Sequence, residues 1–465
     1  MLEREIPDKV ETLGDILRTA VPRFSSYSAV NYGKNVWSYK EIDEMSQSLC
    51  TAINNEFPVK KGQRVLVILP PSIQNVLAYF SLWSLGLCPI PVDSKIPLEL
   101  LNRIVSSGKI SGLVTYSNLF SQIDKEDTAG LYTLLTDSTE FRSPFSGKNP
   151  DMEGNRRRGS LQRPRMEEMC YGESGYTVSI DNITDVALSN IGWNKDGNFT
   201  FIDFNHATIL NALKTASDTF PMRESIPHLV TKEPMNSWEV VVSLLLPLYK
   251  GARLIMCEGY EDDVKKNIER NCRDESCSIW TSNKTFKVLE KLENNVRDRL
   301  SIIYKNTISP EGEFKFLGKH ITSLFCLAGH ELSALPIFFK QYLKEANFKL
   351  LDSVKVSPET SHPIISKKIS GEGYENEDGN VELKDITSHE DSFEFSRDGP
   401  RGDNYFTGFG IPTILLEKWL NEKFKIKHND LSIEGDPLTI RIKNNSNIPQ
   451  QSLPEMISQM LVIKN

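Results

Sequence analysis

The stretch Asp185–Leu213, DVALSNIGWNKDGNFTFIDFNHATILNAL, decides how this chain is read. An apolar run, Val186–Ala187–Leu188, leads into a polar loop that holds Gly192 and Gly197. A short β-type run, Phe199–Thr200–Phe201–Ile202, follows. Asn205–His206 then open an amphipathic helix with apolar Ala207, Ile209, Leu210 and Leu213. Strand, polar loop, strand and helix together form a frame in which backbone N–H groups of a Gly-rich loop can cradle phosphates. This loop carries little of what a phosphate needs. Beside its two glycines stand bulky Trp193 and Phe199, acidic Asp196 and one basic residue, Lys195.

Upstream, Thr12–Ala20 reads as a helix with Thr12 at its N-cap, and Ser28–Asn31 as a strand. Ser38 and Glu41 have capping-box spacing ahead of a helix running to about Asn54. Arg64–Leu69 is a buried-type strand, followed by Pro70–Pro71, a helix over Ile73–Leu85, and a strand over Pro89–Val92. A helix over Leu98–Val105 and a strand over Gly112–Thr115 continue the alternation, the pattern of a parallel, helix-covered sheet. Over about 140–180, Ser, Gly, Pro and Arg rise and apolar periodicity vanishes, so this segment, with its basic run Arg156–Arg158 beside Ser160, reads as a flexible basic insertion.

Downstream, Trp238–Tyr249 reads as a buried helix interrupted by Pro247, and Gly251–Met256 as the strand after it. Cys277–Trp280 and Ser323–Leu327 read as strands, Thr285–Leu292 and Pro336–Lys344 as helices. Gly371–Asp403 is acidic and polar and reads as a loop; Ile414–Phe424 reads as helical and Pro437–Ile442 as a strand.

The chain has 465 residues, 39% of them hydrophobic and 25% charged, which is enough globular sequence for two or three domains. A net charge of −8 argues against a nucleic-acid-binding surface. The N-terminal MLEREIPDKVE has no signal-peptide core, and the longest apolar stretch, Val76–Val92, is broken by Gly86, Pro89 and Pro91, so no membrane span is expected. Seven scattered cysteines fit a reducing compartment better than a disulfide framework, so a cytoplasmic location is expected, with peripheral contact to organelle membranes left open. Cys272 and Cys277 lack the further ligands that a closed zinc site needs.

Three further motifs carry a resemblance. They are Tyr39–Lys40–Glu41–Ile42–Asp43, Lys61–Gly62–Gln63–Arg64–Val65, and Gly86–Leu87–Cys88–Pro89–Ile90–Pro91–Val92–Asp93. In this order they resemble the scaffold motifs of the adenylate-forming enzymes, the superfamily of acyl-CoA synthetases, fatty-acyl-AMP ligases and luciferases. The resemblance covers roughly residues 10–365. It implies an α/β fold of two helix-covered, mainly parallel sheets packed together, with a partial β-barrel at the C-terminal end and the catalytic-lysine domain absent. The expected divisions are 1–139 and 181–365 for the two α/β subdomains, 140–180 for the insertion, 366–404 for an acidic loop and 405–465 for the partial barrel.

The resemblance also implies a site. The family's phosphate loop, Thr-Ser-Gly-Ser/Thr-Thr-Gly-x-Pro-Lys-Gly, counted back from His206, falls on Gly192–Phe201; Gly197 keeps its identity, while Thr200 and Phe201 stand at the lysine and final-glycine positions. Ala328 and Gly329 match small residues that touch adenine. Glu359, in Ser357–Pro358–Glu359–Thr360, matches a glutamate that holds magnesium, although Tyr and Gly of that motif are missing and a bound magnesium usually needs further oxygen ligands. Trp238 lies near the group that lines the acyl pocket, a place that an ordinary core tryptophan also fits. Lys195, Gly197, His206, Ala328, Gly329 and Glu359 are thus the nucleotide candidates, with ATP and magnesium as cofactors of an active domain and none certain. The run Asn194–Lys195–Asp196–Gly197 and the motif Ser357–Thr360 most resemble the fatty-acyl-AMP-ligase-like domains of disco-interacting protein 2. That resemblance implies one domain of a longer protein of fatty-acid and diacylglycerol metabolism, with a fatty acyl group and neighbouring domains as partners. A non-catalytic scaffold and a divergent active acyl-CoA ligase are the competing readings.

Overall fold

Apolar runs of four to six residues, broken by turn signals, are what strands buried on both faces look like, and the chain folds accordingly. The computed structural model describes residues 10–136, 165–172, 182–193 and 198–306, apart from 95, 97, 124–125, 258–260, 273–275 and 282, together with shorter segments between 323 and 442. The strands are β1 Ser28–Tyr32, β2 Asn35–Ser38, β3 Arg64–Ile68, β4 Cys88–Pro91, β5 Gly112–Tyr116 and β6 Tyr132–Thr136. They continue with β7 Val186–Trp193, β8 Phe199–Asn205, β9 Pro227–Val230, β10 Arg253–Met256 and β11 Cys277–Thr281, and end with β12 Leu300–Asn306, β13 Ser323–Gly329, β14 Pro336–Tyr342 and β15 Lys349–Leu350.

Two large sheets result. The first, in the order β4-β3-β5-β6, is parallel throughout. Its strand β4 contains Pro89 and Pro91 and sits at the edge, where missing N–H donors cost no ladder bond. The second sheet has nine strands in the order β15-β14-β13-β12-β11-β9-β10-β1-β2. Its centre, from β13 across to β1, is parallel; β2, β14 and β15 add antiparallel edges. Strands β7 and β8 form an antiparallel hairpin that lies against β4 of the first sheet. Among the described residues of 405–465 there are two separate strand pairs, Tyr405–Phe406 with Ile411–Pro412 and Leu431–Glu434 with Thr439–Ile442, and no closed barrel.

The helices form where local signals direct them. Ser38 and Glu41 close the capping box of the helix Tyr39–Glu56, whose Ile42, Met45, Leu49 and Ile53 recur at helical spacing and are buried. The helix Ile73–Ser84 is capped by Ser72, which accepts from the Asn75 N–H, and it is apolar and buried all round. The first helix spans Asp15–Phe24, later than expected. Thr12 is not its N-cap; instead the Thr12 N–H and hydroxyl both donate to the Asp15 carboxylate. The expected helix over Pro336–Lys344 is strand β14, because PIFFKQY pairs antiparallel with β13 and tertiary pairing overrides the local pattern. Within 371–403 the strands Asn380–Glu382, Ile386–Ser388 and Phe393–Phe395 occur. The basic run 156–160 and the helix expected at 414–424 lie outside the described residues.

The helix after Trp238 is not regular. Ser237–Glu239 is α-helical, Val240–Leu245 is a π-helix, and Leu246–Tyr249 returns to α-helix with Pro247 in its first turn. A π-helical insertion of this kind marks functional sites more often than plain helix does. Gly251 then turns the chain with φ +77°, and a Cβ there would lie 2.7 Å from the Phe24 ring.

Gly251→Ala should therefore cost both a left-handed backbone and a ring clash, at least about 2 kcal/mol. Gly62→Ala, at φ +76° with nothing near the added Cβ, should cost only the backbone part, about 1 kcal/mol. Urea unfolding of the two variants checks the difference.

Candidate functional site

The hairpin β7–β8 carries the loop from which the reading began. Its register pairs Trp193 with Phe199, Gly192 with Thr200 and Ile191 with Phe201. The ladder thus runs up to Trp193 and Phe199, and Thr200 and Phe201 lie inside strand β8. A Cβ on Gly192 would meet the tip of the Ile202 side chain at 2.8 Å, a contact that a small shift of that side chain relieves. Lys195 and Gly197 lie outside the described residues, as does Glu359.

Phe201 is anchored. Its ring lies 5.1 Å below the Arg64 guanidinium and edge-on to Phe199 at 5.5 Å, and both rings pack on the core of the four-stranded sheet. Arg64 also donates to the Asp203 carboxylate at 2.5 Å. The other Asp203 oxygen accepts from the Ser189 hydroxyl, and Ser189 lies 3.0 Å from the buried Cys88 thiol. Burial pushes that thiol up to about 12, so Cys88 is a neutral member of the chain at neutral pH.

His206 begins the helix His206–Thr219, whose N-cap Asn205 accepts from the Thr208 N–H at 2.8 Å. The imidazole is buried, and its Nδ1 accepts from the Leu13 N–H at 3.1 Å. It therefore ties the N-terminal segment to this helix. Burial lowers its pKa to about 4, a shift that nearby Asp15 opposes.

Trp238 and Gly329 meet. A Cβ on Gly329 would lie 2.3 Å from the Trp238 indole nitrogen, so the glycine leaves room for that ring to lie against the end of β13. Trp238 is buried and edge-on to Trp280 at 5.8 Å. Ala328 precedes Gly329 in the same strand, opposite Phe338 of β14.

A polar cluster near this point was not anticipated from sequence. Lys232 pairs with the fully buried Glu239 at 3.1 Å, and the other Glu239 oxygen accepts from the Met235 N–H. Glu233 accepts from both the N–H and the hydroxyl of Ser94. The triplet Thr231–Lys232–Glu233 directly follows apolar β9, and polar residues at the carboxyl end of a parallel strand were the available signal. Among the described residues no group of three or more His, Cys, Asp or Glu is placed to hold a metal ion. No helix among them is long and apolar enough to cross a membrane.

This architecture is the α/β fold of the adenylate-forming N-terminal domain. Residues 17–171, about a third of the chain, match the AMP-binding enzyme family. Solved structures agree in fold over most of the chain. An anthranilate CoA ligase, AuaEII, solved with anthranoyl-AMP superposes with TM-score 0.67 at 11% identity, covering 97% of this chain and 90% of that one. A fused adenylation–PCP di-domain, NpsA-ThdA from Klebsiella oxytoca, gives TM-score 0.71 at 12% identity, covering 97% and 91%. The N-terminal domain of FACL13 from Mycobacterium tuberculosis gives 0.64 at 10%, covering 83% of this chain and 99% of that domain. In sequence, a long-chain-fatty-acid–CoA ligase of Escherichia coli O6:H1 is 28% identical over 134 residues, which is 28% of this chain and 24% of the ligase. Surfactin synthase subunit 3 of Bacillus subtilis is 21% identical over 254 residues, 50% of this chain and 20% of that protein. The matches thus span about a quarter or less of these curated relatives.

The lowered His206 pKa gives a pH prediction. Its folded value of about 4 lies below the ordinary 6.5, so its contribution is fully present above about pH 6.5 and is lost as pH falls toward 4. His228, lowered to about 3 by burial, acts in the same sense. The urea midpoint should fall between pH 6.5 and 4, and His206→Gln, whose side-chain carbonyl can still accept from Leu13, should flatten part of that fall.

Proposed function

We propose that this chain is an adenylate-forming-type domain that holds a fatty acyl group and, by itself, carries out little or no adenylation. Adenylation joins a carboxylate to ATP, giving acyl-adenylate and pyrophosphate, through a transition state whose spread negative charge needs cations and N–H donors. The observation that carries the reading is Phe201. At the place of the family's last loop glycine it is a large ring held under Arg64, and Arg64 is itself committed to Asp203. Thr200 beside it brings no charge to the lysine position. These residues do not fit a triphosphate and its magnesium, and no chemical step is routed through them.

What supports an acyl group is the buried apolar ground around Trp238 together with the fatty-acid CoA ligases that are similar to about a quarter of the chain. The run Asn194–Gly197 and the motif Ser357–Thr360 make the fatty-acyl-AMP-ligase-like domains of disco-interacting protein 2 the branch of choice. On this reading the chain is one domain of a larger cytoplasmic protein of fatty-acid and diacylglycerol metabolism. A divergent active CoA ligase is the second reading, favoured by the same CoA ligase relatives.

Titration calorimetry with ATP and magnesium separates the two. No heat of binding up to millimolar nucleotide is expected. A dissociation constant in the micromolar range would overturn the loss of nucleotide binding, and an acyl chain found by native mass spectrometry of the purified chain supports the acyl-holding part.

A further inference from the structure

Lys232 and Glu233 stand at the one reversal in the order of the parallel strands. These strands lie in the order β10-β9-β11-β12-β13, so the chain leaves β9 for β10 on one side and then returns past it to β11 on the other. An open parallel sheet takes its ligand outside the carboxyl ends of its strands, at such a reversal. β9 ends at Val230, and Thr231, Lys232 and Glu233 follow directly. The Thr231 N–H and hydroxyl both donate to the Trp280 carbonyl of β11, which fixes this segment at the reversal. The first sheet reaches the same point. Ser94, just beyond the end of β4, donates to Glu233 from its N–H at 3.1 Å and from its hydroxyl at 2.6 Å. Glu233 thereby joins the carboxyl ends of β9 and β4.

The charges at this point do not balance. The Lys232 ammonium is committed to Glu239, which is fully buried and 3.1 Å away. Glu233 has no ion pair among the described residues. Both Ser94 donors go to one of its oxygens, Oε1. The other, Oε2, has no hydrogen-bond partner among the described residues, and it is not one of the unpartnered atoms closed off from solvent. With 8% of its surface exposed, Glu233 is more than nine-tenths buried and yet open at that oxygen. A carboxylate withdrawn this far from water calls for a cation beside it, because a charge loses far more hydration than a neutral group does. The surroundings supply none. Tyr79, which feels the charges of both Glu239 and Glu233, stays protonated, chiefly through burial, and Ser94 is neutral.

We propose that Glu233 Oε2 receives an ammonium group carried by the guest, so that the acid this domain holds is an amino-substituted one. The inference rests on the acyl-holding reading given above and adds a charged group to that acid. An ammonium fits because a single charge-assisted hydrogen bond to one free carboxylate oxygen is its ordinary mode of binding. A guanidinium fits less well, since it grips a carboxylate through both oxygens and Ser94 already occupies one. Magnesium or calcium fits less well again. Each wants several oxygen ligands, and among the described residues no group of three or more His, Cys, Asp or Glu is placed to hold a metal. Lys232 is the cation next in sequence, and its pairing with Glu239 is what leaves Glu233 for the guest.

Titration calorimetry on the whole chain with decanoic acid, its monoamino isomers and the N-acetylated form of each isomer tests this. At least one amino isomer should bind about tenfold more tightly than decanoic acid, the gain that one charge-assisted hydrogen bond provides. Its N-acetylated form, which has no charge on nitrogen, should lose that gain. Glu233→Gln keeps a side-chain carbonyl for the Ser94 donors and removes the charge. It should abolish the preference while affinity for decanoic acid holds or rises. Circular dichroism checks that the variant is folded, and the acetylated acids carry the test on the wild type if it is not. Binding of decanoic acid with no amino isomer ahead of it would overturn the proposal and leave the acyl reading standing. A preference that survives in Glu233→Gln would move the ammonium to another residue, and equal losses for both acids would make Glu233 a clasp between the sheets and nothing more; either result refutes the assignment. A heat of calcium binding that Glu233→Gln removes would give the oxygen to a metal instead. Binding of neither acid by the folded wild type would sink the acyl reading itself, and the ammonium with it.

Discussion

The Asp203 carboxylate is the interaction that fixes the β7–β8 hairpin to the first sheet. One oxygen takes the Arg64 guanidinium from β3 of the first sheet and the other takes the Ser189 hydroxyl from β7 of its own hairpin. The Asp203 carbonyl accepts from the Glu372 N–H, and Gly371 passes so close that a Cβ would touch Ile202 at 2.3 Å. The hairpin is thereby held on both sides. A partly buried carboxylate with two committed donors is costly to disturb, because losing it leaves a guanidinium and a buried hydroxyl unpaired. The same constraint explains the loop. Arg64 is wanted beneath the hairpin for Asp203, and an aromatic ring at Phe201 both covers that cation and extends the first sheet's core.

Close by, where Asn190 of the hairpin bonds Ser237, the decisive feature is the room that Gly329 leaves. A small residue at the end of β13 was read as space for an adenine ring, yet the Trp238 indole of the chain itself lies against it. The π-helix that follows Trp238 changes the pitch of the buried segment just where the indole must turn toward β13. The polar side chains around it find partners in one another, Lys232 in Glu239 and Ser94 in Glu233, with one Glu233 oxygen left over.

Much of the fold was legible, because its signals are local and repeated. The capping box at Ser38–Glu41, the buried run Arg64–Ile68 and the N-cap at Asn205 each state their own conformation, whereas Gly251, expected to begin a strand, is the turn ahead of it. Strand β14 was not legible, since PIFFKQY fits a helix as well as a strand and only its pairing with β13 decides. The candidate site was legible in position more than in role. Trp238, His206 and Gly329 could be named from sequence, but not that His206 would accept from Leu13, nor that Trp238 and Gly329 would meet. The polar cluster was hidden because Ser94 and Glu233 follow strands of different sheets and come together only in the folded chain.

The pairing of β1 with β10 has a consequence for how the chain is made. Val30 of β1 pairs with Leu254 of β10, and Asn31 with Ile255, so an early strand is joined to one synthesised more than two hundred residues later. Until then its apolar face and its unpaired backbone have no permanent partner. Such long-range pairing slows assembly. The nascent chain therefore holds one edge of β1 open until β10 has been made, and that edge is where a mispairing during synthesis would begin.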